Sequence, residues 1–348
     1  MRNIFKYIRL VFIPVIPLYL LVFCIKRLIS RSVKFNIPVI CIGNITTGGT
    51  GKTPLVIYLA KMLKQMGFSP GIISRGYRGT KSKEGAVVSD GKSVFLSPEE
   101  CGDEPLMIAE SIKGVPFAIC SDRPKAICLL TDKYRIDIIL MDDGFQNNSV
   151  YKDFSIIVLD ALKPFGNGLA LPAGDLRECV SSLRRSDFIL INKCNLIDNE
   201  KLQSLSEKIN RISHGKKIFH SYYKNEYLSQ IDNVKSKLPI SKIKGKKILI
   251  FTGIGNPAAF KRSISQYNPS SVKLISFHDH HYYNSNDIKR IINESGNFDF
   301  VITTEKDYVK LKSYRFNSKF YVLKISLKIK EDKIFKKIID SSLREIKK

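Results

Sequence analysis

Four runs constrain this chain more than anything else in it: "IPVICIG" (37–43), "DIILMDDG" (137–144), "FSIIVLD" (154–160) and "DFILINK" (187–193). Each is apolar at nearly every position rather than at every second one. A strand reads that way when both of its faces are covered, which points to a parallel sheet wrapped in helices. Segments with helical periodicity lie between the runs, among them "PLVIYLAKMLKQMG" (54–67), which stops at a glycine. "AVVSDGKSVFL" reads as a hairpin turning at Asp90-Gly91. A polar, lysine-rich stretch around 200–245 interrupts the alternation. It resumes with "KKILIFTGIGNP", "SVKLISFHDHH", "DFVITTEKD" and "KFYVLKISL". The 348 residues suffice for two α/β domains, expected over 31–210 and, smaller, over 211–348, after a separate segment 1–30.

That leading segment holds an uninterrupted apolar run, "LVFIPVIPLYLLVFCI" (10–25), with basic residues on both sides. No small-residue cleavage site follows, so a signal peptide is not expected. The run is short for a span of about 20 residues, and Pro14 and Pro17 should kink it. The favoured reading is an interfacial or re-entrant helix on anionic lipid, with the bulk of the chain cytoplasmic; a single span is the lesser option. The chain carries 57 Lys and Arg against 32 Asp and Glu, a net charge of +25, so its partner should be anionic. Much of that excess lies in lysine-rich runs near the C-terminus that read as solvated faces. Seven cysteines, with no C-x-x-C pair, fit buried reduced thiols better than disulfides or zinc.

Between the first strand and the first strong helix lies "GNITTGGTGKTPL" (43–55). Strand, glycine-rich turn and helix N-terminus together gather backbone N–H groups around one concavity, which suits phosphate. Thr47, Gly48, Gly49, Thr50, Gly51, Lys52 and Thr53 form the expected cradle. Lys52 can reach the β- and γ-phosphates, and the Thr53 hydroxyl can ligate Mg²⁺. Thr46 stands where the general pattern has its outer glycine. A second signature supports the loop: "DIILMDDG" ends its strand in Asp142 and Asp143. Adjacent carboxylates buried without a cation would repel one another, so Mg²⁺ is the economical reading.

Transfer of a phosphoryl group also needs a proton acceptor. "CGDEP" offers Asp103 and Glu104, and "FHDHHYY" gathers His278, His280 and His281 at a strand end; acid/base chemistry suits that cluster better than zinc. "LINKCN" resembles a guanine-reading motif but has Asn195 where a carboxylate belongs, which favours adenine or no base readout at this place. Arg75, Arg78, Arg123 and Arg177 follow apolar runs beside glycine or proline and are candidates for cleft loops.

Taken as an ordered set, "GNITTGGTGKTP", "SRGYRG", "GDEP", "DDGFQ", "LPAGDLRE", "TGIGNP", "FHDHH" and "TTEKD" resemble the tetraacyldisaccharide 4′-kinase family, lipid A pathway kinases of Gram-negative inner membranes. The resemblance covers roughly residues 30–310 and accounts for Thr46, because the family's loop also departs at that glycine. It implies two Rossmann-like P-loop domains of α/β/α type around a cleft, a membrane-associated apolar N-terminal helix, ATP and Mg²⁺. It implies transfer of the γ-phosphoryl group to the 4′-hydroxyl of a tetraacylated glucosamine disaccharide 1-phosphate. By motif, Asp103 matches the catalytic aspartate and His280 its partner, with His278 and His281 as alternatives. Lys52, Thr53, Asp142 and Asp143 match phosphate and metal positions, with Glu104 beside them. Asn44, Arg75, Tyr77, Arg123, Arg177 and Glu178 are the implied substrate residues. The implied partners are the lipid and the membrane surface, with no nucleic acid, for a monomer. His278 replaces a proline of the family's motif, and Asn147 stands where a histidine often follows the glutamine. The competing readings are a membrane-associated P-loop GTPase or transport ATPase and, remotely, a nucleic-acid-binding protein.

Overall fold

The computed structural model describes residues 11–233 and 235–346. Residues 1–10, which include the basic N-terminal flank and the start of the apolar run, lie outside the described residues. The strands are β1 (Val39–Gly43), β2 (Pro70–Ser74), β3 (Ala86–Ser89), β4 (Phe117–Ile119), β5 (Ile138–Asp142) and β6 (Phe154–Asp160). They continue with β7 (Phe188–Asn192), β8 (Lys217–Gln230), β9 (Lys247–Thr252), β10 (Ser271–Ser276), β11 (Phe300–Thr304) and β12 (Phe320–Ile329). All twelve join one sheet, in the order β10-β9-β11-β12-β8-β7-β6-β1-β5-β2-β4-β3.

The apolar runs behave as their composition requires. In β1, Ile40 and Ile42 enter one core while Val39 and Cys41 enter another on the opposite face. The same alternation divides Ile138 and Leu140 from Ile139 and Met141 in β5. In the C-terminal half, Leu249 and Phe251 of β9 face one core, and Ile248 and Ile250 face the other. Helix Lys52–Gln65 supplies Leu55, Leu59 and Leu63 to the first of these cores, at the spacing that puts them on one face.

The stretch around 200–245 does not interrupt the sheet. Helix Asn199–Ser213 is polar outside and buries Leu202 and Ile209, and β8 follows as the longest strand. Residues 217–220 of β8 pair in parallel with β7, and residues 221–230 pair antiparallel with β12. One strand thus serves both halves. Its half-buried, alternating pattern hides it from any search for fully apolar runs. The expected hairpin is reduced to a turn after β3, closed by a bridge from Ser89 to Val94, while β3 itself pairs with β4.

The apolar N-terminal run forms helix Ile16–Ile29 after a short 3₁₀ turn. Pro14 and Pro17 sit in first turns, where a missing N–H is harmless, so they start the helix rather than kink it. Fourteen residues reach about 21 Å. No helix among the described residues is long and apolar enough to cross a membrane. Ile16 and Leu20 pack on the core, and Tyr19 Oη donates to the Arg177 carbonyl at 3.0 Å. Leu18, Leu21, Val22, Ile25, Leu28 and Ile29 are exposed. All seven cysteines are free; Cys41, Cys101, Cys120 and Cys194 are buried, whereas Cys24, Cys128 and Cys179 are exposed.

Candidate active site

Parallel pairing of β1 with β5 sets Ile42 beside Asp142, so the glycine-rich loop and the paired aspartates leave the sheet side by side. Ligands of open α/β sheets collect at such strand ends. A cleft of about 1900 Å³ opens there, lined by both halves of the molecule.

The loop is held from beneath. Asn44 is buried and donates through Nδ2 to the Thr46 carbonyl (2.7 Å) and to Thr50 Oγ1 (3.2 Å). Thr46 is extended, in an antiparallel bridge with Leu176, and Thr47 N donates to the Asp175 carbonyl at 2.7 Å. An outer glycine is unnecessary because the chain approaches the turn as a strand. Gly51 cannot be replaced as easily. Its φ is +104°, and a Cβ there would lie 2.2 Å from both Asn192 Nδ2 and Tyr223 Oη. Asn192 Nδ2 donates to the Thr50 carbonyl at 3.0 Å, and Lys193 Nζ to the Gly49 carbonyl at 3.3 Å. Tyr223 Oη lies 2.7 Å from Asn192 Nδ2. Asn192 and Lys193, from the run whose Asn195 favours adenine or no base readout, prop the phosphate loop. Tyr223 comes from β8 and carried no sequence signal.

Lys52 and Thr53 open helix Lys52–Gln65, and Lys52 Nζ lies 3.4 Å from Asp143 Oδ1. Asp143 adopts φ +49° and also receives Arg177 NH1 at 2.9 Å. Burial works against its charge, but Lys52 and Arg177 outweigh that and hold its carboxyl below the ordinary range. Asp142 next to it is driven the other way. Burial first, then the charges of Asp143 and Glu104, push it up to about 7. Its Oδ2 receives only a long bond from Ser74 Oγ at 3.4 Å, and its buried Oδ1 has no hydrogen-bond partner. An orphaned carboxylate oxygen and the Thr53 hydroxyl, both on the lining of one cleft, are a donor set that fits a hard dication. No group of three or more His, Cys, Asp and Glu among the described residues is arranged as a metal cage.

Across the cleft, the loop after β10 brings His280 to Asp103, which opens helix Asp103–Ser111. His280 Nδ1 lies 3.0 Å from both Asp103 oxygens. His280 has φ +62°, and its N–H donates to the Gly253 carbonyl at 3.1 Å. Asp307, fully buried, anchors that turn by accepting from Gly253 N (3.0 Å), Thr252 Oγ1 (2.6 Å) and Tyr283 Oη (2.9 Å). Burial disfavours the Asp103 charge. The His280 bond and then Lys306, with Lys310 behind it, outweigh that and bring its carboxyl down to about 2. Lys310 Nζ, buried, lies 3.6 Å from Asp103 Oδ2.

Of the expected residues, Lys52, Thr53, Arg75, Tyr77, Asp103, Glu104, Arg123, Asp142, Asp143, Arg177 and His280 all line the cleft. Two do not. Asn44 lies under the loop, and Glu178 is buried where it accepts from Gln146 Nε2 at 2.7 Å and from Arg185. Both spend their hydrogen bonds inside the protein, supporting the loop and the cleft wall. Glu104, expected at the metal, is engaged by Lys306 Nζ at 3.2 Å. His281 turns away to Asp287 Oδ2 (2.8 Å), stacked on Phe277, with His278 against it. Arg123 is buried and directs NH1 to the Cys120 carbonyl at 2.6 Å. The exposed Tyr77 meets the His280 ring edge-on at 6.2 Å. Lys306 and Lys310, in and beside the "TTEKD" motif, were given no role from the sequence.

The Tetraacyldisaccharide-1-P 4'-kinase family profile matches residues 8–344. The chain belongs to this family. The tetraacyldisaccharide 4'-kinase of Halothermothrix orenii is 39% identical over 309 residues, covering 84% of this chain and 80% of its own. The enzyme of that name from Syntrophus aciditrophicus is 34% identical, with 92% and 87% covered. The crystal structure of LpxK from Aquifex aeolicus in complex with ATP superposes with a TM-score of 0.76 at 27% identity, over 97% of this chain and 99% of that one. The kinase family and the ATP complex agree with a phosphate loop that shares one cleft with the Asp103–His280 contact. A family member that uses ATP has no need of a carboxylate at Asn195.

Proposed function

We propose that the cleft transfers the γ-phosphoryl group of ATP to the 4′-hydroxyl of a tetraacylated glucosamine disaccharide 1-phosphate. The observation that carries this reading is the 3.0 Å contact between Asp103 and His280, made between opposite halves of the molecule in the cleft that the phosphate loop also lines. Backbone N–H groups of residues 48–53 and the Lys52 ammonium receive the phosphate chain. Thr53, Asp142 and Asp143 would hold Mg²⁺, which supplies charge neutralisation at the phosphate oxygens when bound. Asp103, held ionised, accepts the proton of the attacking hydroxyl, while His280 orients it through Nδ1–H. Arg75 and Tyr77 stand at the exposed lip for the sugar, with Arg123 deeper against Asp142 and Asp143.

The same reading covers the membrane. Tyr19, Phe23 and Lys26 of helix Ile16–Ile29 line the cleft while the outer face of that helix is exposed and apolar. Lying in the lipid interface on the cytoplasmic side of the inner membrane, it would deliver the cleft to a substrate that stays in the bilayer. Residues 31–210 and 211–348 serve as two lobes joined through β8.

The test is transfer of labelled phosphate from ATP to the purified lipid acceptor. Product labelled on the 4′-hydroxyl supports the reading. ATP hydrolysis indifferent to acceptor would instead mark a nucleotide hydrolase and overturn it.

A further inference from the structure

We propose that Lys306 is a positioning residue for phosphoryl transfer, holding the His280 imidazole neutral and in the tautomer that directs Nδ1–H at Asp103. The inference rests on the kinase reading above and concerns a group which that reading leaves unused.

Lys306 follows β11, in the C-terminal half. Its Nζ lies 3.1 Å from His280 Nε2, 3.2 Å from Glu104 Oε1 and 3.4 Å from Asp279 Oδ1. An ammonium has three N–H donors and no lone pair. Three acceptors surround this one, so each takes one proton. Nε2 must therefore present its lone pair, and the single proton of a neutral ring must sit on Nδ1. That proton faces Asp103, 3.0 Å from each carboxylate oxygen. A proton added at Nε2 would oppose N–H to N–H and break the lysine contact.

The surroundings of the ring agree. Asp279 Oδ2 lies 3.9 Å from Nε2, the Tyr77 ring meets the imidazole edge-on, and Lys310 stands behind Asp103. Arg78 stacks on Tyr77 from the same loop, and Glu104 reaches the ring only through Lys306. Lys306 remains a cation: burial acts against it, but Glu104, Asp103 and Asp279 outweigh burial and raise its pKa above that of an ordinary lysine.

A consequence for the chemistry follows. With Nε2 taken by Lys306, the oxygens of Asp103 are the acceptor left for the sugar hydroxyl. The O–H bond breaks, its proton goes to an Asp103 oxygen, and the oxygen's electron pair forms the new bond to phosphorus while the bond to ADP breaks. Lys306 itself neither gains nor loses a proton.

The experiment uses the full chain labelled with ¹⁵N in histidine, with the His280 ring signals identified by their loss in His280→Gln. Wild type should show a neutral ring protonated at Nδ1 at pH 7.5, and Lys306→Met should shift it to the other tautomer, a mixture or imidazolium. In the same variant kcat should fall by about tenfold or more while KM for ATP stays within about twofold. Lys306→Arg, which keeps a cationic donor, should restore the ring pattern and part of kcat; Lys306→Gln replaces the Met variant should that one fail to fold. A ring protonated at Nε2 in wild type, or one unchanged by removing the lysine, overturns the proposal. Asp103→Asn with kcat within about twofold of wild type would overturn the proton-acceptor reading instead, leaving the tautomer measurement standing.

Discussion

Lys52 and Asp103 make opposite demands on the site, and each can be tested alone. Lys52 faces Asp143 at 3.4 Å and has phosphate as its other expected partner. Lys52→Ala should lower kcat by about two to three orders of magnitude, as loss of a charge-stabilising donor does, in an assay with labelled ATP. Asp103 contributes to the fold as well. Its folded pKa of about 2 lies below the ordinary 3.8, so its stabilisation is present above pH 3.8 and is lost as pH falls toward 2. A shift of that size corresponds to about 2 kcal/mol. Denaturant unfolding should therefore find Asp103→Asn less stable than wild type by about 2 kcal/mol at pH 7, with the gap closing between pH 4 and pH 2. His281→Ala, by contrast, removes a side chain that turns to Asp287, away from the cleft, and should leave kcat within about twofold of wild type.

Helix Ile16–Ile29 is the element whose exposed side has no use within the chain. Leu21 and Leu28 are 56% and 84% exposed. Replacing both with Glu should abolish flotation with anionic vesicles while the kcat toward a detergent-dispersed acceptor stays within about twofold; unchanged flotation would remove this helix from the membrane reading. How far the elements could be read from sequence depended on their burial. β1, β5, β6 and β7 are apolar at nearly every position because both of their faces are covered, so that pattern alone exposed them. β8 is half-exposed along its length, and its sequence, "KIFHSYYKNEYLSQ", carries no such mark. The site divided in the same way. Asp103, His280, Lys52 and Asp142 sit in short distinctive motifs. Tyr223 and Lys310 owe their positions to the register of β8 and to the turn anchored by Asp307, and no local pattern encodes either. Asn44 and Glu178 sit inside motifs yet do not line the cleft, because a residue of a motif can support the cleft without facing it.

Over the whole molecule the charge of +25 is a long-range property, and its effect should depend on salt. Binding to vesicles of anionic phospholipid should weaken steeply between low and physiological ionic strength in co-sedimentation, while binding to neutral vesicles, resting on the apolar helix, should change little. The interplay of the halves can be probed at Tyr223. Tyr223→Phe removes a hydroxyl that lies 2.7 Å from Asn192 below Gly51, and KM for ATP should rise by about three- to tenfold, with one hydrogen bond's worth of loop order lost.

β8 ties residues 217–220 to one half and residues 221–230 to the other, with opposite strand polarity on its two sides. A hinge made of loop would let the halves part freely. A hinge made of one continuous strand allows twist but resists separation, since parting means stripping backbone hydrogen bonds one by one. The cleft can therefore be wrung like a cloth but not opened like a book. Amide exchange should find the short ladder with β7 loosening first, because four residues pair there against nine on the other side.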